Sequence, residues 1–566
     1  MPSILSGMTF RSFDFDDFIA TPSQTQARLF PQYRGANTQF DIIVIGSGMG
    51  GGVLADALAD GNLGKSRRIL VLEAGSYLFP THVYNVCRFP NATVAGNFEC
   101  KTFWQSNDND GNQFYIGRRP QLNFGGRSVF WSGLIPTVQQ WELAFFPQNV
   151  RQALASGLLT DAGRTMNESE SMGRTAQDIV EALRQTDLDQ DFDIQETPRA
   201  LHQPYLTPEG VPREEFFHEP TGVFNTAELL INQLGIPSEY NENRAGLHLM
   251  LHQYVEDIQQ KPDDTFELVV RNTLDGSARH FHAGTVVLAG GSIESPKLLR
   301  RSSLFHSMPQ QARELVGRGL TDHPTTNDIM TFVTRIGEVD IPKEGAHAKI
   351  IFYSRGRMEN GQILFPFNVE MNVNHEFWHL RQNDPGIAPE VANTASSIVD
   401  VKFSFGNCLD DGNEVRSADP FKYVPEIVFR NQRWTDHLVG SRFPALAGWQ
   451  KSDTEVWNIL NDVTRRIFSK FHNGNDVAQP HARFGEDNKG FGYGTVHHAI
   501  GTLRMPWRPT LTSGFNRPSV VDEDLRVAGT KHLYVCDMSV MPFSSAANPV
   551  RTLVALALRM ARHFGS

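Results

Sequence analysis

The chain has 566 residues and a formal net charge of −11, with 40% hydrophobic and 20% charged residues. That is material for two or more domains around a large core. The acidic balance, with Lys and Arg scattered, argues against a nucleic-acid or anionic-membrane partner, since both would be repelled. Cys87, Cys100, Cys408 and Cys536 show neither metal-ligand spacing nor disulfide density and read as free thiols. No basic-then-apolar leader and no run of about eighteen apolar residues occurs, so the expectation is a soluble, cytoplasmic protein without membrane contact. On that expectation the triplets Asn91-Ala-Thr93 and Asn167-Glu-Ser169 carry no weight as glycosylation sites.

Residues 1–38 are polar and irregular, an arm rather than a domain. Ile42 to Ile45 is a short apolar run without alternation, the pattern of a parallel strand buried on both faces. Gly46, Gly48 and Gly51 follow. The first allows a tight turn, the second lets the backbone approach a pyrophosphate, and the third lets the next helix pack close to the strand. Val53, Leu54, Ala57 and Leu58 give that helix its stripe, and its N-terminus offers N–H groups and a positive dipole end to phosphate. Arg68 to Leu72 predicts a second strand, ending at Glu73, 22 residues after Gly51. A carboxylate there accepts hydrogen bonds from free ribose hydroxyls and repels a 2′-phosphate, so FAD or NAD fits and NADP does not.

Phe266–Arg271 and Ala278–His282, joined across Asp275-Gly276, predict a β-hairpin. Thr285 to Ala289 reads as a further buried strand, running into Gly290-Gly291-Ser292 and a helical pattern at Leu298 and Leu299. From about 331 to 489 the texture changes to alternating, Phe-rich runs at 349–353, 364–369 and 399–403, expected to be antiparallel strands, and closes in a helix-like stretch from Val456 to Phe471. Leu533–Cys536 is a short apolar strand before Asp537, and Leu553–Ala561 is strongly helical.

Four blocks, in order, make the sequence similar to the glucose-methanol-choline (GMC) oxidoreductase family of FAD enzymes from Phe40 to the C-terminus. They are the first glycine turn with Glu73; Asn123-Phe-Gly125-Gly126-Arg-Ser128-Val-Phe-Trp131; Gly290-Gly291-Ser292-Ile-Glu-Ser295-Pro296, with Gly317 through Asp322-His323-Pro324; and His498-Ala-Ile-Gly501-Thr502, Asp537 and Asn548-Pro549. Within the family, Trp131 and the Asn548 to Thr552 segment look closest to the branch of pyranose oxidases and bacterial sugar dehydrogenases. The resemblance implies an α/β fold, a Rossmann-like FAD-binding domain with an interleaved α+β substrate domain built on an antiparallel sheet. The implied division is an arm (1–38), FAD-binding parts at 39–140, 205–330 and 490–566, a helical substrate-domain part at 141–204 and the substrate domain proper at 331–489. FAD is expected to be non-covalent, because Phe130 stands beside Trp131 where some relatives attach flavin through histidine.

The same resemblance assigns roles. Oxidising an alcohol requires a base for the hydroxyl proton and an acceptor for the carbon-bound hydride, flavin N5. His498 matches the family's base and Asn548 its orienting partner; neutral imidazole accepts a proton near neutrality, whereas an amide can only donate or accept a hydrogen bond. His497 is a competing candidate that should face away, since adjacent strand residues point to opposite sides. Gly125, Gly126, Ser128 and Trp131 would cover the flavin, Trp131 equally well filling core, and Asp537 with Asn548-Pro549 would approach it. Asp537 could instead cap a helix, and His323 reads as a structural contact. The expected donor is a sugar, glycoside, polyol or other alcohol, and oxygen or a quinone-like compound is the electron acceptor. The alternative is a non-redox lyase or photodecarboxylase, which the same family fold also hosts.

Overall fold

The computed structural model describes residues 38–60, 67–77, 104–105, 121–171, 173–202, 222–235, 246–326, 328–341, 348–355, 367–374, 396–416, 426–428, 453–485, 491–492, 498–506 and 518–565. The arm up to residue 37, Cys87, Cys100, the Asn91 triplet and His497 lie outside them. Cys408 and Cys536 are buried.

The elements that frame the site are, in chain order, strands β1 (Gln39–Ile45), β2 (Ile69–Leu72), β3 (Phe192–Glu196), β4 (Leu247–Met250), β5 (Gln253–Gln260), β6 (Phe266–Asn272), β7 (Ala278–Leu288), β8 (Thr325–Thr326), β9 (Ile329–Val333), β10 (Ala348–Ser354), β11 (Phe367–Val373), β12 (Ser397–Phe405) and β13 (Leu533–Val535). The helices are α1 (Met49–Asp60), α2 (Arg174–Arg184), α3 (Thr226–Gly235), α4 (Gly291–Arg301), α5 (Asp453–Phe468) and α6 (Val550–Gly565).

The first large sheet runs β4-β2-β1-β7-β6-β5, with β13 also on β7. Its centre is parallel, Ile42 to Ile45 pairing with Ile69 to Leu72 on one side and with Thr285 to Leu288 on the other. Ile43, Val44, Leu70, Val71, Val286 and Val287 are fully buried, which is why these strands read as unbroken apolar runs. Each such side chain contributes about 1.5–3 kcal/mol by leaving water. α1 and α6 pack against each other over this sheet, and Pro549 opens α6 where no N–H is needed.

One expectation is corrected here. The second arm of the hairpin and the buried strand at 285–289 are a single strand, β7. Ala283 pairs with Phe266 on one side and with Phe40 on the other. The Ala-Gly pair at 283–284 looks like a break in the sequence, yet its small size suits a strand flanked on both edges.

The second large sheet is antiparallel, with order Phe491–Gly492, β8, β12, β11, β10, β3, and β9 also on β12. Residues 192–196 and 348–405 therefore share one sheet. β11 begins at Phe367 and runs to Val373, beyond the expected end at 369; residues 364–366 are outside those described. The helix-like stretch stops at Phe468, and Phe471 starts a short strand instead. Phe352, Phe367, Val369, Met371, Val401 and Phe403 point into a core closed by α2 and α5.

Candidate active site

Four distant segments meet at the first glycine turn. Gly46 has a φ of +107°, and a Cβ there would lie 2.5 Å from the carbonyl oxygen of Ala289, so the turn is pressed against the end of β7. At Gly51 a Cβ would meet the Gly46 oxygen at 2.1 Å and the Ala289 side chain at 2.8 Å, which is the close helix–strand packing expected of that position. Gly50, which sequence reasoning passed over, abuts the Cys536 carbonyl at the end of β13.

Ser47 ties in the remaining segment. Its hydroxyl accepts from the Gly125 N–H at 2.9 Å and donates to Glu73 Oε2 at 2.6 Å. Ser128 Oγ donates to the Gly125 carbonyl and lies 3.0 Å from Thr226 Oγ1, which donates to the Ser47 carbonyl at 2.8 Å. Thr226 is a second residue that its local sequence did not flag. Trp131 donates through Nε1 to the Phe224 carbonyl and packs on the core.

Both candidate cofactor carboxylates are engaged in holding turns. Glu73 accepts from the N–H groups of Ser47 and Gly75, and burial pushes its pKa above the usual carboxylate value despite those bonds. Asp537 accepts from Gly291 N and Ser295 Oγ with one oxygen and from Ser539 N and Oγ with the other. That is the capping arrangement weighed for it, and it fastens the second glycine turn to the end of β13.

His498 is placed by backbone pairing. Ile500 and Thr321 exchange both N–H to O bonds, so the segment at 498–500 runs antiparallel to Thr321-Asp322-His323. The fully buried Asp322 fixes both histidines from below: Oδ1 accepts from His323 N at 2.8 Å and Oδ2 from His498 N at 3.1 Å. The rings then meet, with His498 Nδ1 3.0 Å from His323 Nε2 and an interplanar angle of 74°. On its other side His323 Nδ1 lies 2.9 Å from the carbonyl oxygen of Ser545. Asp322, His323 and His498 are near enough together to suggest a metal site, but here the two ring nitrogens face each other at hydrogen-bond distance and the carboxylate accepts from both backbone N–H groups.

Ser545 belongs to the loop that carries Asn548, so that loop is tethered to His323. Glu142, a residue no sequence signal marked, holds it from the far side. Its Oε1 accepts from Ala547 N and its Oε2 from Gln139 N, and burial pushes its pKa to about 7.

Models of the family described as GMC oxidoreductase match residues 239–325 and 449–557. Both matched segments are those of GMC oxidoreductases, the family that the sequence resembles. Among solved structures it is similar to pyridoxine 4-oxidase from Mesorbium loti, at 15% identity and a TM-score of 0.58, over 93% of this chain and 99% of that one. It is likewise similar to two structures of formate oxidase from Aspergillus oryzae RIB40, concerned with FAD modification, each at 15% identity over 93% of this chain and 98% of the other, with TM-scores of 0.55 and 0.54. No curated protein matches the sequence. Among the described residues, no helix is long and apolar enough to cross a membrane.

GMC enzymes use FAD, and the crossing of four segments fits it. Gly46, Gly50 and Gly51 are hemmed in by protein, but at Gly48 and Gly291 a Cβ would meet nothing within 4 Å. Among the described residues, open space therefore lies beside the two glycine turns, at the N-termini of α1 and α4.

The antiparallel sheet contributes a surface of another kind. In β11 and β12 the side chains opposite the apolar core are polar, and opposed residues form a ladder: Asn372 Nδ2 donates to Asp400 Oδ1 at 2.8 Å, Lys402 pairs with Glu370 at 2.8 Å, and Asn368 stands opposite Ser404. Burial raises the pKa of Glu370, but Lys402 outweighs it and keeps the carboxyl below its usual value. Among the described residues, Asn368 Nδ2 and Ser404 Oγ are buried without a hydrogen-bond partner. β8 follows His323-Pro324 directly and pairs with Ser404, which brings this end of the ladder beside the histidines.

Proposed function

We propose that this FAD-dependent oxidoreductase oxidises the CH–OH group of a polyhydroxylated or glycosidic donor, with His498 as the base and Asn548 as the group that orients the donor oxygen. The observation that carries the reading is the hydrogen-bond chain from Ser545 through His323 to His498. It leaves Nε2 of neutral His498 as the lone-pair nitrogen, the form a general base needs. The two glycine turns would hold FAD non-covalently, and it would supply the acceptor for the carbon-bound hydride. The protein's part is to take the hydroxyl proton at His498 Nε2 and, with the imidazolium formed, to offset developing negative charge nearby.

The polar ladder supports the donor class. A buried amide and hydroxyl without partners among the described residues favour a ligand that brings its own hydrogen-bonding groups, and an alkyl chain would leave them unpaired at a cost of about 1–3 kcal/mol each. Oxygen is the acceptor most in keeping with the oxidases of similar fold, with a quinone-like compound as the second choice.

The test is an anaerobic screen in which flavin bleaching is followed with sugars, glycosides, polyols, aryl alcohols and long-chain alcohols. Polyhydroxylated donors should bleach the flavin in the dark, and His498→Ala should retain FAD while slowing bleaching by about 10²- to 10⁴-fold. Rapid reduction by long-chain alcohols alone would remove the donor class, and an undiminished rate in His498→Ala would remove the base.

A further inference from the structure

We propose that His323 is a positioning residue: a neutral, buried imidazole that relays hydrogen-bond polarity from the Ser545 carbonyl to His498 and so fixes which nitrogen of His498 carries the proton. The inference rests on the reading of His498 as the base, and it assigns a function to a residue whose sequence context suggested only a structural contact.

The argument follows from what each atom can do. A backbone carbonyl only accepts, so the 2.9 Å contact from Ser545 O to His323 Nδ1 requires a proton on Nδ1. In a neutral imidazole the other nitrogen then holds the lone pair. His323 is neutral across the working range, because complete burial pushes its pKa down to about 4, more than the Ser545 carbonyl and Glu370 restore. His323 Nε2 must therefore accept, and the ring nitrogen 3.0 Å away, His498 Nδ1, must donate. The lone pair of His498 is thereby assigned to Nε2. Had Nδ1 of His323 faced a donor, every proton in the chain would reverse and His498 would present an N–H where a base is needed.

The arrangement is held from several directions. Asp322 clamps the backbone N–H of both histidines, so their rings keep their spacing. Ser545 is locked in turn by its own loop, its hydroxyl donating to the Ala547 carbonyl at 2.5 Å and the Ala547 N–H donating to Glu142. Thr502 and Ser292 exchange side-chain bonds with the backbone between α4 and the His498 segment, which fixes that segment against the second glycine turn. A tautomer set this way costs no reorganisation when the donor arrives.

The test uses the FAD-loaded enzyme with a donor that bleaches it. His323→Phe keeps a ring but loses the acceptor, and should slow flavin reduction about 10²-fold with little change in donor KM or FAD content. His323→Gln restores a donor and an acceptor and should stay within about 10-fold of wild type. In the His498→Ala background His323→Phe should have no further effect, since it acts only through that ring. Additive losses, or a glutamine variant no better than phenylalanine, would show a merely structural role and overturn the proposal. Should the phenylalanine variant not fold, ¹⁵N-histidine NMR of the wild-type holoenzyme decides. Its His498 signals, assigned by their loss in His498→Ala, should show a protonated Nδ1 and a bare Nε2, and the opposite tautomer would sink the idea. The same spectrum separates this claim from the base reading, because an undiminished rate in His498→Ala would end the latter while leaving the tautomer to be judged.

Discussion

The centres of both large sheets are buried on both faces, but they are buried against different things. In the parallel sheet Ile42 to Ile45 and Val286 to Leu288 put apolar side chains on each face, and these join one core with α1 and α6. In the antiparallel sheet every residue of β11 is buried although the sequence alternates, Phe367, Val369, Met371 and Val373 entering a core and Asn368, Glu370 and Asn372 lying opposite. An alternating strand usually has one face in water. Here the polar face is enclosed, and polar groups are enclosed only where they are paired or where a ligand pairs them. On the function proposed above, the contrast separates a scaffold that holds FAD from a surface that would read the donor.

The sharpest way to break this comparison is to truncate each face in turn. On the apolar face Met371→Ala should destabilise the protein by about 2–5 kcal/mol in denaturant unfolding while hardly changing flavin reduction by donor. On the polar face Lys402→Met leaves Glu370 buried without its partner. The loss should be no more than about 3 kcal/mol, the lower end for a broken buried pair, because the Lys402 side chain is 24% exposed. Loss of donor turnover without loss of stability at Met371, or the reverse at the polar ladder, would invert the assignment of the faces.

A pH experiment sharpens the role of the loop that carries Asn548. The pKa of Glu142 is raised by burial to about 7. A raised carboxyl pKa means that its favourable contribution is fully present below the unfolded value of 4.5 and is lost as pH rises through about 7. Relative to Glu142→Gln, wild type should lose up to about 3 kcal/mol of stability between those pH values. Parallel pH–stability curves for the two proteins would show that Glu142 is ionised throughout and the loop is held otherwise.

The smallest stability effect belongs to the unpaired rung. Asn368→Leu removes a buried amide nitrogen without a partner among the described residues, so stability should stay within about 1 kcal/mol of wild type or rise. Donor KM should increase all the same. An unchanged KM across sugars and glycosides would mean that the rung does not face the donor.

Much of the fold was legible because buried parallel strands and glycine turns write themselves locally. Gly46 and Gly51 are small where the Ala289 carbonyl and the Gly46 carbonyl crowd them, and the strand before and the acid after fix the register of the motif. The role of His323 was not legible, since nothing near Asp322-His-Pro tells which carbonyl its Nδ1 will meet 222 residues later at Ser545. Glu142 gave no signal for the same reason: its partners at 546–547 arrive from the other end of the chain.

The sequence by itself determined the family resemblance, the FAD-binding turn, the order of strands and helices around it and the candidacy of His498 and Asn548, because periodicity, glycine spacing and motif order are properties of neighbouring residues. The tertiary structure decided what those residues touch. It joined the hairpin arm to the buried strand as one β7, turned the polar side of an alternating strand inward, engaged Glu73 and Asp537 in holding turns, and stood His323 between Ser545 and His498. Each of these depends on hydrogen bonds or packing between segments far apart in the chain, whose mutual placement is set by the closing of the whole core rather than by local preference.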